Sequence, residues 1–316
     1  MKKEQIIVLG ANGQIGTVLT EELRKMYGSD QVLATDLQKH SVQEGLFEQL
    51  DILNAQRLYE VIENRGVTQI YHLAAILSAR GEQNPKWAWD INMTGLFNVL
   101  EAAKIYNCRV FFPSSIAVFG SEAPKVNTPQ HAVLQPKTVY GISKVAGEHW
   151  CNYYYEKYNV DVRSVRYPGI IGYQSMPGGG TTDYAVEIYH KALQGEVFEC
   201  FLTADTKLPM LYMPDAIRAT LELMAAPAEQ IKVRTSYNIA GMSFDPKTIY
   251  KAIQQEIPNF QITYQPDFRQ AIADSWPFSI DDTQARQDWG WQPEYDLDNM
   301  TRDMLAHLEE RYEKEE

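Results

Sequence analysis

The chain has 316 residues, 41 acidic and 29 basic, a formal net charge of −12. That length suits one large α/β domain or two lobes, and the acidic balance, with no cluster of Lys or Arg, argues against nucleic acid or an anionic membrane as the main partner. No apolar run approaches the roughly 18 residues of a membrane helix, the apolar stretch after Lys2 and Lys3 stops at Gly10, too soon for a signal core, and Cys108, Cys151 and Cys200 form an odd, widely spaced set that fits neither a disulfide frame nor a zinc site.

The expectation is a cytoplasmic protein with reduced thiols and no metal. Short apolar runs alternate with helical periodicity through the first half. Strands are predicted at 6–9, 32–35, 70–73, 109–112 and 162–165, and helices at 15–26, 55–63, 87–106 and 139–158. Near-continuous apolar strands separated by helices mean a parallel sheet covered on both faces, a doubly wound α/β fold of Rossmann type. After Arg166 the rhythm changes to a stretch rich in Gly and Pro, then a helix at 183–193 and a helix start with Pro214 in its first turn. Residues 237–239 read as a strand returning to the main sheet, and 245–312 as helices joined by Pro-bearing loops. The expected organisation is a nucleotide-binding domain of 1–168 with 211–241, and a smaller, mostly helical substrate lobe of 169–210 and 242–316.

Gly10-Ala11-Asn12-Gly13-Gln14-Ile15-Gly16 lies between the first strand and the first helix. Glycines here permit a tight turn, backbone approach to a pyrophosphate and close helix–sheet packing, while the helix N-terminus offers N–H groups to phosphate. The second strand ends in Asp36, 20 residues past Gly16, where an acid meets an adenosine ribose. A carboxylate there repels a 2′-phosphate, and Leu37-Gln38 supplies no guanidinium, so NAD is favoured over NADP. Asp51-Ile52 suits either an adenine edge or a plain turn.

Tyr140 and Lys144 fall one helical turn apart, so a cation stands beside a phenol that would otherwise stay protonated at neutral pH. Spacing alone is weak, because Tyr153 and Lys157 repeat it. Context separates the two. Tyr140 follows Ser115 by 25 residues, and Ser115 lies just beyond the fourth long strand, at the sheet end where such folds bind ligands. Tyr153 sits beside Tyr154 and Tyr155 and reads as core or interface packing.

The glycine turn, Asp36, His72-Leu73-Ala74-Ala75, Asn92, the Ser114–Gly120 segment and Tyr140/Lys144 together resemble the extended short-chain dehydrogenase/reductase superfamily. The resemblance implies that Leu73, Ala74 and Ala75 line the cofactor together with Tyr167 and Pro168, and that Asn92 helps position the site. It further implies that Ser115 holds the reacting oxygen, Tyr140 moves its proton and Lys144 tunes Tyr140 while reaching a cofactor ribose, so that Tyr140 and Lys144 also count among the cofactor-binding residues. Phe119 departs from the Tyr that sugar-nucleotide members carry before this Gly.

That superfamily holds several reactions, so the region after the fifth strand discriminates. No Lys or Arg occurs between Arg166 and Lys191, where a nucleotide-sugar pyrophosphate would want cations. Hydroxyls, exposed N–H groups at Gly178 to Gly180 and a helix start at Thr182 or Asp183 suit a compact zwitterion. Gly178-Gly179-Gly180-Thr181-Thr182-Asp183-Tyr184-Ala185, Ala75–Ala79 and Ala273–Pro277 resemble the short-chain L-threonine 3-dehydrogenases. The resemblance implies substrate contacts from Ser78, Ser115, Tyr140, Gly180, Thr181, Thr182 and Trp276. It also implies oxidation of L-threonine with NAD, and a homodimer through a four-helix interface. A nucleotide-sugar 4-epimerase and a non-catalytic, redox-sensing NAD binder are the rival readings.

Overall fold

Four consecutive buried apolar residues make β1 (Ile6–Leu9), and a strand with both faces covered has no polar side to show. A computed structural model describes residues 4–178 and 180–315. Behind β1 come α1 (Gln14–Tyr27), β2 (Val32–Asp36), β3 (Phe47–Gln49), α2 (Ala55–Arg65) and β4 (Gln69–His72). Next are α3 (Ser78–Gln83), α4 (Pro85–Tyr106), β5 (Arg109–Ser115), α5 (Val139–Tyr158) and β6 (Val162–Tyr167). Their ends are chemically marked. Asn84 caps α4 by accepting from Trp87 N, with Pro85 in the first turn, and Thr138 caps α5 by accepting from Gly141 N. Both helices stop at an asparagine in the left-handed region, Asn107 and Asn159.

The remaining elements are β7 (Gly169–Ile171), α6 (Tyr184–Leu193), β8 (Phe198–Cys200), β9 (Leu208–Tyr212), α7 (Met213–Ala225) and β10 (Tyr237–Asn238). After them come β11 (Met242–Phe244), α8 (Pro246–Glu256), β12 (Ile262–Tyr264), α9 (Arg269–Ser275), α10 (Thr283–Trp289) and α11 (Leu297–Glu315).

The central sheet has seven strands in the order β10-β6-β5-β4-β1-β2-β3. β1 pairs in parallel with β2 and β4, β2 with β3, and β4 with β5. The order reverses at β1, the switch point where doubly wound sheets bind nucleotides. The returning strand is found where residues 237–239 predicted it.

Two compact units emerge. The first comprises residues 1–118, 138–166 and 217–237. Its core on one face packs Ile7, Leu33, Ile70 and Val110 against Leu58 and Ile62 of α2, Leu96 and Val99 of α4, and Cys151 of α5. Asp161 pairs with Arg109, Arg163 and Arg234, and Arg163 also donates to the carbonyls of Leu223 and Ala226. The second unit comprises 119–137, 167–216 and 238–316. It contains a three-stranded sheet, β11-β9-β7, and a parallel pair, β12-β8, with α6, α8 and α11 packed on one another. Most of these strands are only three residues long, too short for periodicity to mark them in the sequence.

Candidate active site

The nucleotide turn is built from backbone. Gly10 has φ +86, and a Cβ there would stand 2.7 Å from Ala74 N. A Cβ on Gly16 would stand 2.2 Å from Gly10 O, so α1 and the turn touch main chain to main chain. Gly13 differs: a Cβ there would meet only Gly10 O, at 3.4 Å, leaving that face open. Gly13 is also the N-cap of α1, makes no side-chain cap bond, and no acid lies in the first turn. Those N–H groups and that open face fit a pyrophosphate. Asp36 ends β2, accepting from Asn12 N and Gln38 N, each at 3.1 Å. The cradle therefore fits NAD: the turn of Gly10, Asn12, Gly13, Gln14, Ile15 and Gly16 for phosphate, and Asp36 for ribose hydroxyls.

Asp51 is occupied with a turn, its carboxylate accepting from Leu53 N at 2.9 Å, while Ile52 is buried and its carbonyl accepts from Asn98. Leu73 N donates to Leu9 O, laying the strip from Leu73 to Ala75 beside the end of β1. Asn92, buried on α4, clasps the next residue: Oδ1 accepts from Ile76 N at 2.7 Å and Nδ2 donates to Ile76 O at 3.0 Å. Nδ2 also reaches Ser143 Oγ on α5 at 3.3 Å. Asn92 thus ties the loop after β4 to the helix that carries Tyr140. Ser78 is the first residue of α3 and is buried.

Ser115 is the last residue of β5, where its Oγ accepts from Ala117 N at 3.1 Å. Tyr140 stands in the first turn of α5, near enough to Ser115 for that side chain to pull on its titration. Lys144 Nζ donates to Pro113 O at 2.5 Å and lies 4.6 Å from the Phe112 ring centre and 5.4 Å from that of Tyr140. Burial dominates both titrations. It pushes the Tyr140 phenol up to about 12, against the pull of the Ser115 side chain. It brings Lys144 down to about 8, while Cys151 and Glu148 act the other way. Phe112 and Pro113, which floor and tether Lys144, were not singled out in the sequence, although they stand directly before Ser114-Ser115. The competing pair lies elsewhere: Tyr153 is 44% exposed, its ring against Trp150 and Tyr158 on the outside of α5.

In the second unit, Tyr167 donates to Ala216 O at 3.3 Å. The N–H groups of Gly178 and Gly180, expected to be exposed, instead donate to Asp183 Oδ2 at 2.7 and 2.8 Å, because the loop folds back over that carboxylate. Gly179 lies outside the described residues. Helix α6 opens at Tyr184 with no side-chain cap, so neither threonine serves as one. Thr181 is buried, and its Oγ1 has no hydrogen-bond partner among the described residues. A hydroxyl desolvated without a partner costs free energy until a ligand or water satisfies it. Trp276 is buried at the end of α9, and Lys125 Nζ donates to its carbonyl and to that of Asp274, each at 2.9 Å.

Known proteins of the same build are close. An epimerase/dehydratase of Staphylococcus aureus (strain USA300), described as uncharacterized, is 49% identical over 316 residues, spanning 98% of each chain. A GalE-like L-threonine dehydrogenase from Cupriavidus necator, in its holo form, superposes with a TM-score of 0.95 at 55% identity, over 96% of this chain and 99% of that one. A monomeric L-threonine 3-dehydrogenase from a metagenome, in its apo form, gives a TM-score of 0.95 at 48% identity, over 97% and 99%. The sequence pattern of the NAD dependent epimerase/dehydratase family matches residues 6–240. With that match, the glycine turn and the Ser115–Tyr140–Lys144 set, the chain belongs to the NAD dependent epimerase/dehydratase family.

Proposed function

We propose that the protein oxidises the 3-hydroxyl of L-threonine, giving 2-amino-3-ketobutyrate, NADH and a proton. The observation that carries this reading is likeness to threonine dehydrogenases along almost the whole chain, coupled to an intact Ser115–Tyr140–Lys144 set. When bound, NAD supplies the acceptor for the C3 hydride. The chain's own residues divide the rest. The glycine turn and the first N–H groups of α1 hold phosphate, and Asp36 holds the ribose. Ser115 Oγ orients the substrate oxygen and Tyr140 Oη takes its proton. With the phenol at about 12, roughly one molecule in 10⁴ would carry phenolate at pH 8. The Lys144 ammonium is the nearby charge able to raise that fraction.

Ser78, Gly180, Thr181, Thr182 and Trp276 complete the proposal as substrate contacts. The buried, unpartnered Thr181 hydroxyl is the feature that favours a ligand there. Asp51 and Ile52 toward adenine, and Tyr167 and Pro168 toward the cofactor, belong to the same reading. No helix among the described residues is long and apolar enough to cross a membrane, and the three cysteines are free and buried, which suits the cytoplasm. A homodimer through α4 and α5 is supported by Trp89, Ile105, Ile142, Trp150, Tyr153 and Tyr158, all exposed on those helices. Light scattering at micromolar concentration decides it, since a monomer mass would match the metagenomic relative's description instead.

The deciding experiment follows NAD reduction with L-threonine in one cuvette and UDP-galactose in another. Reduction with threonine alone, abolished in Tyr140→Phe with NAD binding intact, is the expected result. Normal turnover in Tyr140→Phe, or epimerisation of UDP-galactose without net reduction, overturns the assignment.

A further inference from the structure

His72 ends β4 directly beneath the strip that lines the cofactor, and no step of the reaction uses it. It is 4% exposed, and Nδ1 has no hydrogen-bond partner among the described residues. Its ring is stacked on Phe112 with centres 6.3 Å apart, on the same Phe112 whose ring lies 4.6 Å from Lys144 Nζ. Between them is a cavity of about 10 Å³, walled by His72, Asn92, Leu96, Phe112, Ser143 and Lys144. That is about the space one water needs.

The polar wall atoms can be accounted for one by one. Both ends of the Asn92 amide are engaged with Ile76 and Ser143. Ser143 Oγ donates to Tyr140 O at 2.7 Å. Lys144 has three N–H donors and gives one to Pro113 O. Among the wall's side chains, Lys144 therefore has surplus donors and His72 Nδ1 is a ring nitrogen with no partner among the described residues, while the main chain of Ala74 and Ala75 completes the lining. Burial, with Lys144 nearby, brings His72 down to about 3, so the imidazole is neutral throughout the working range and able to accept.

We propose that this cavity holds one water that accepts from the Lys144 ammonium and donates to His72 Nδ1, making His72 a positioning residue for the lysine. The orientation is forced, because a water whose O–H points at the imidazole presents its lone pairs to Lys144. The bond favours the charged lysine against the burial that lowers it, and holds Nζ at the end of its tether. The other charged or titratable groups around Lys144 all lie on α5 itself: Tyr140, Glu148 and Cys151. β5 contributes only the Pro113 carbonyl and the Phe112 ring, and α4 the neutral Asn92. The inference rests on the reading of Lys144 as the group that tunes Tyr140.

The test uses the holoenzyme at saturating NAD and L-threonine and follows kcat against pH. His72→Phe removes the acceptor, so the lysine loses its proton earlier and the alkaline limb moves about one unit toward acid, the size of one hydrogen bond to a charge. His72→Asn keeps an acceptor oxygen near the Nδ1 position and restores the limb. Nitrogen NMR of labelled wild-type protein should show one of the six histidines with Nδ1 as an unprotonated acceptor that does not titrate down to pH 5. Equal shifts in both variants, an unmoved limb in His72→Phe, or a protonated Nδ1 would overturn the proposal. Should His72→Phe fail to fold, the Asn variant and the NMR signal decide alone. A Lys144→Met enzyme with full turnover would remove the underlying reading, whereas the nitrogen signal reports on the water contact independently.

Discussion

Glu148 lies one turn beyond Lys144 on α5 and is fully buried, as is Arg166 opposite it on β6. Its Oε1 accepts from Arg166 Nε at 2.9 Å and Ser114 Oγ at 2.6 Å, and Oε2 accepts from Arg166 Nη2 at 2.8 Å. At 2.8 Å and an effective dielectric of about 20, the attraction is roughly 6 kcal/mol, much of it offset by desolvation. Glu148→Gln keeps the shape and takes the negative charge away from two hydrogen bonds to the buried Arg166 guanidinium. We expect a loss of about 3–5 kcal/mol, read from urea unfolding followed by tryptophan fluorescence. The triple variant Glu148→Leu, Arg166→Met, Ser114→Ala removes both charges of the pair together with the hydroxyl bonded to it, and should cost less than the single substitution. A Glu148→Gln cost below about 1 kcal/mol, or a triple variant as damaged as the single, would refute the view that the missing carboxylate charge causes most of the loss. The same substitution should carry Lys144 below about 8, since Glu148 raises it, and move the alkaline limb of activity toward acid.

Gly16→Ala forces a Cβ to within 2.2 Å of Gly10 O, backbone that cannot step aside, and should lower both stability and NAD affinity in fluorescence titration. Gly13→Ala meets only a 3.4 Å neighbour, so stability should hold while NAD binding weakens by about tenfold or more; unchanged affinity would place the phosphate elsewhere. Asp36→Ala should weaken NAD more than NADP, and an unaltered preference would contradict the assigned ribose contact. His72 has a folded value of about 3 against about 6.5 unfolded, so below pH 6.5 only the unfolded chain takes the proton. Stability should therefore fall from about pH 6.5 toward 3, by up to about 1.4 kcal/mol per pH unit from this group. The buried His190 adds to the upper part of the slope. An unfolding series between pH 7 and 4 should show a shallower slope in His72→Asn than in wild type.

The parallel sheet could be read from the sequence because its strands are apolar on both faces and its long helices show apolar periodicity. The short strands could not. Phe47–Gln49 sits at an edge with no buried side chain, and β7 and β8, three residues each, offer no repeat long enough to count. Residues 119–137 carry no periodicity that signals their place in the second unit, where backbone bonds join Lys125 and Thr128 to the segment from Phe278 to Asp281. At the site, residue types and spacing pointed to Ser115, Tyr140, Lys144 and Asp36. What stayed hidden depends on conformation. The closing of Asp183 over two glycine N–H groups follows from the path of a loop, and the vacant acceptor on His72 exists only once its neighbours are fixed.

The central sheet has an origin split in time. β6 is complete at Tyr167, but the strand beside it, β10, begins only at Tyr237. As the chain leaves the ribosome, about 70 residues separate the two, several seconds of synthesis at typical rates. During that interval one flank of β6 offers unpaired N–H and C=O groups to any passing strand. Arg163, on that strand, meanwhile lacks the carbonyls of Leu223 and Ala226 and the Arg234 neighbour that later close the corner. A chain truncated after residue 216 would keep the nucleotide turn and Tyr140 yet leave that flank bare permanently. Its fate would be association through the sheet edge rather than a smaller working enzyme.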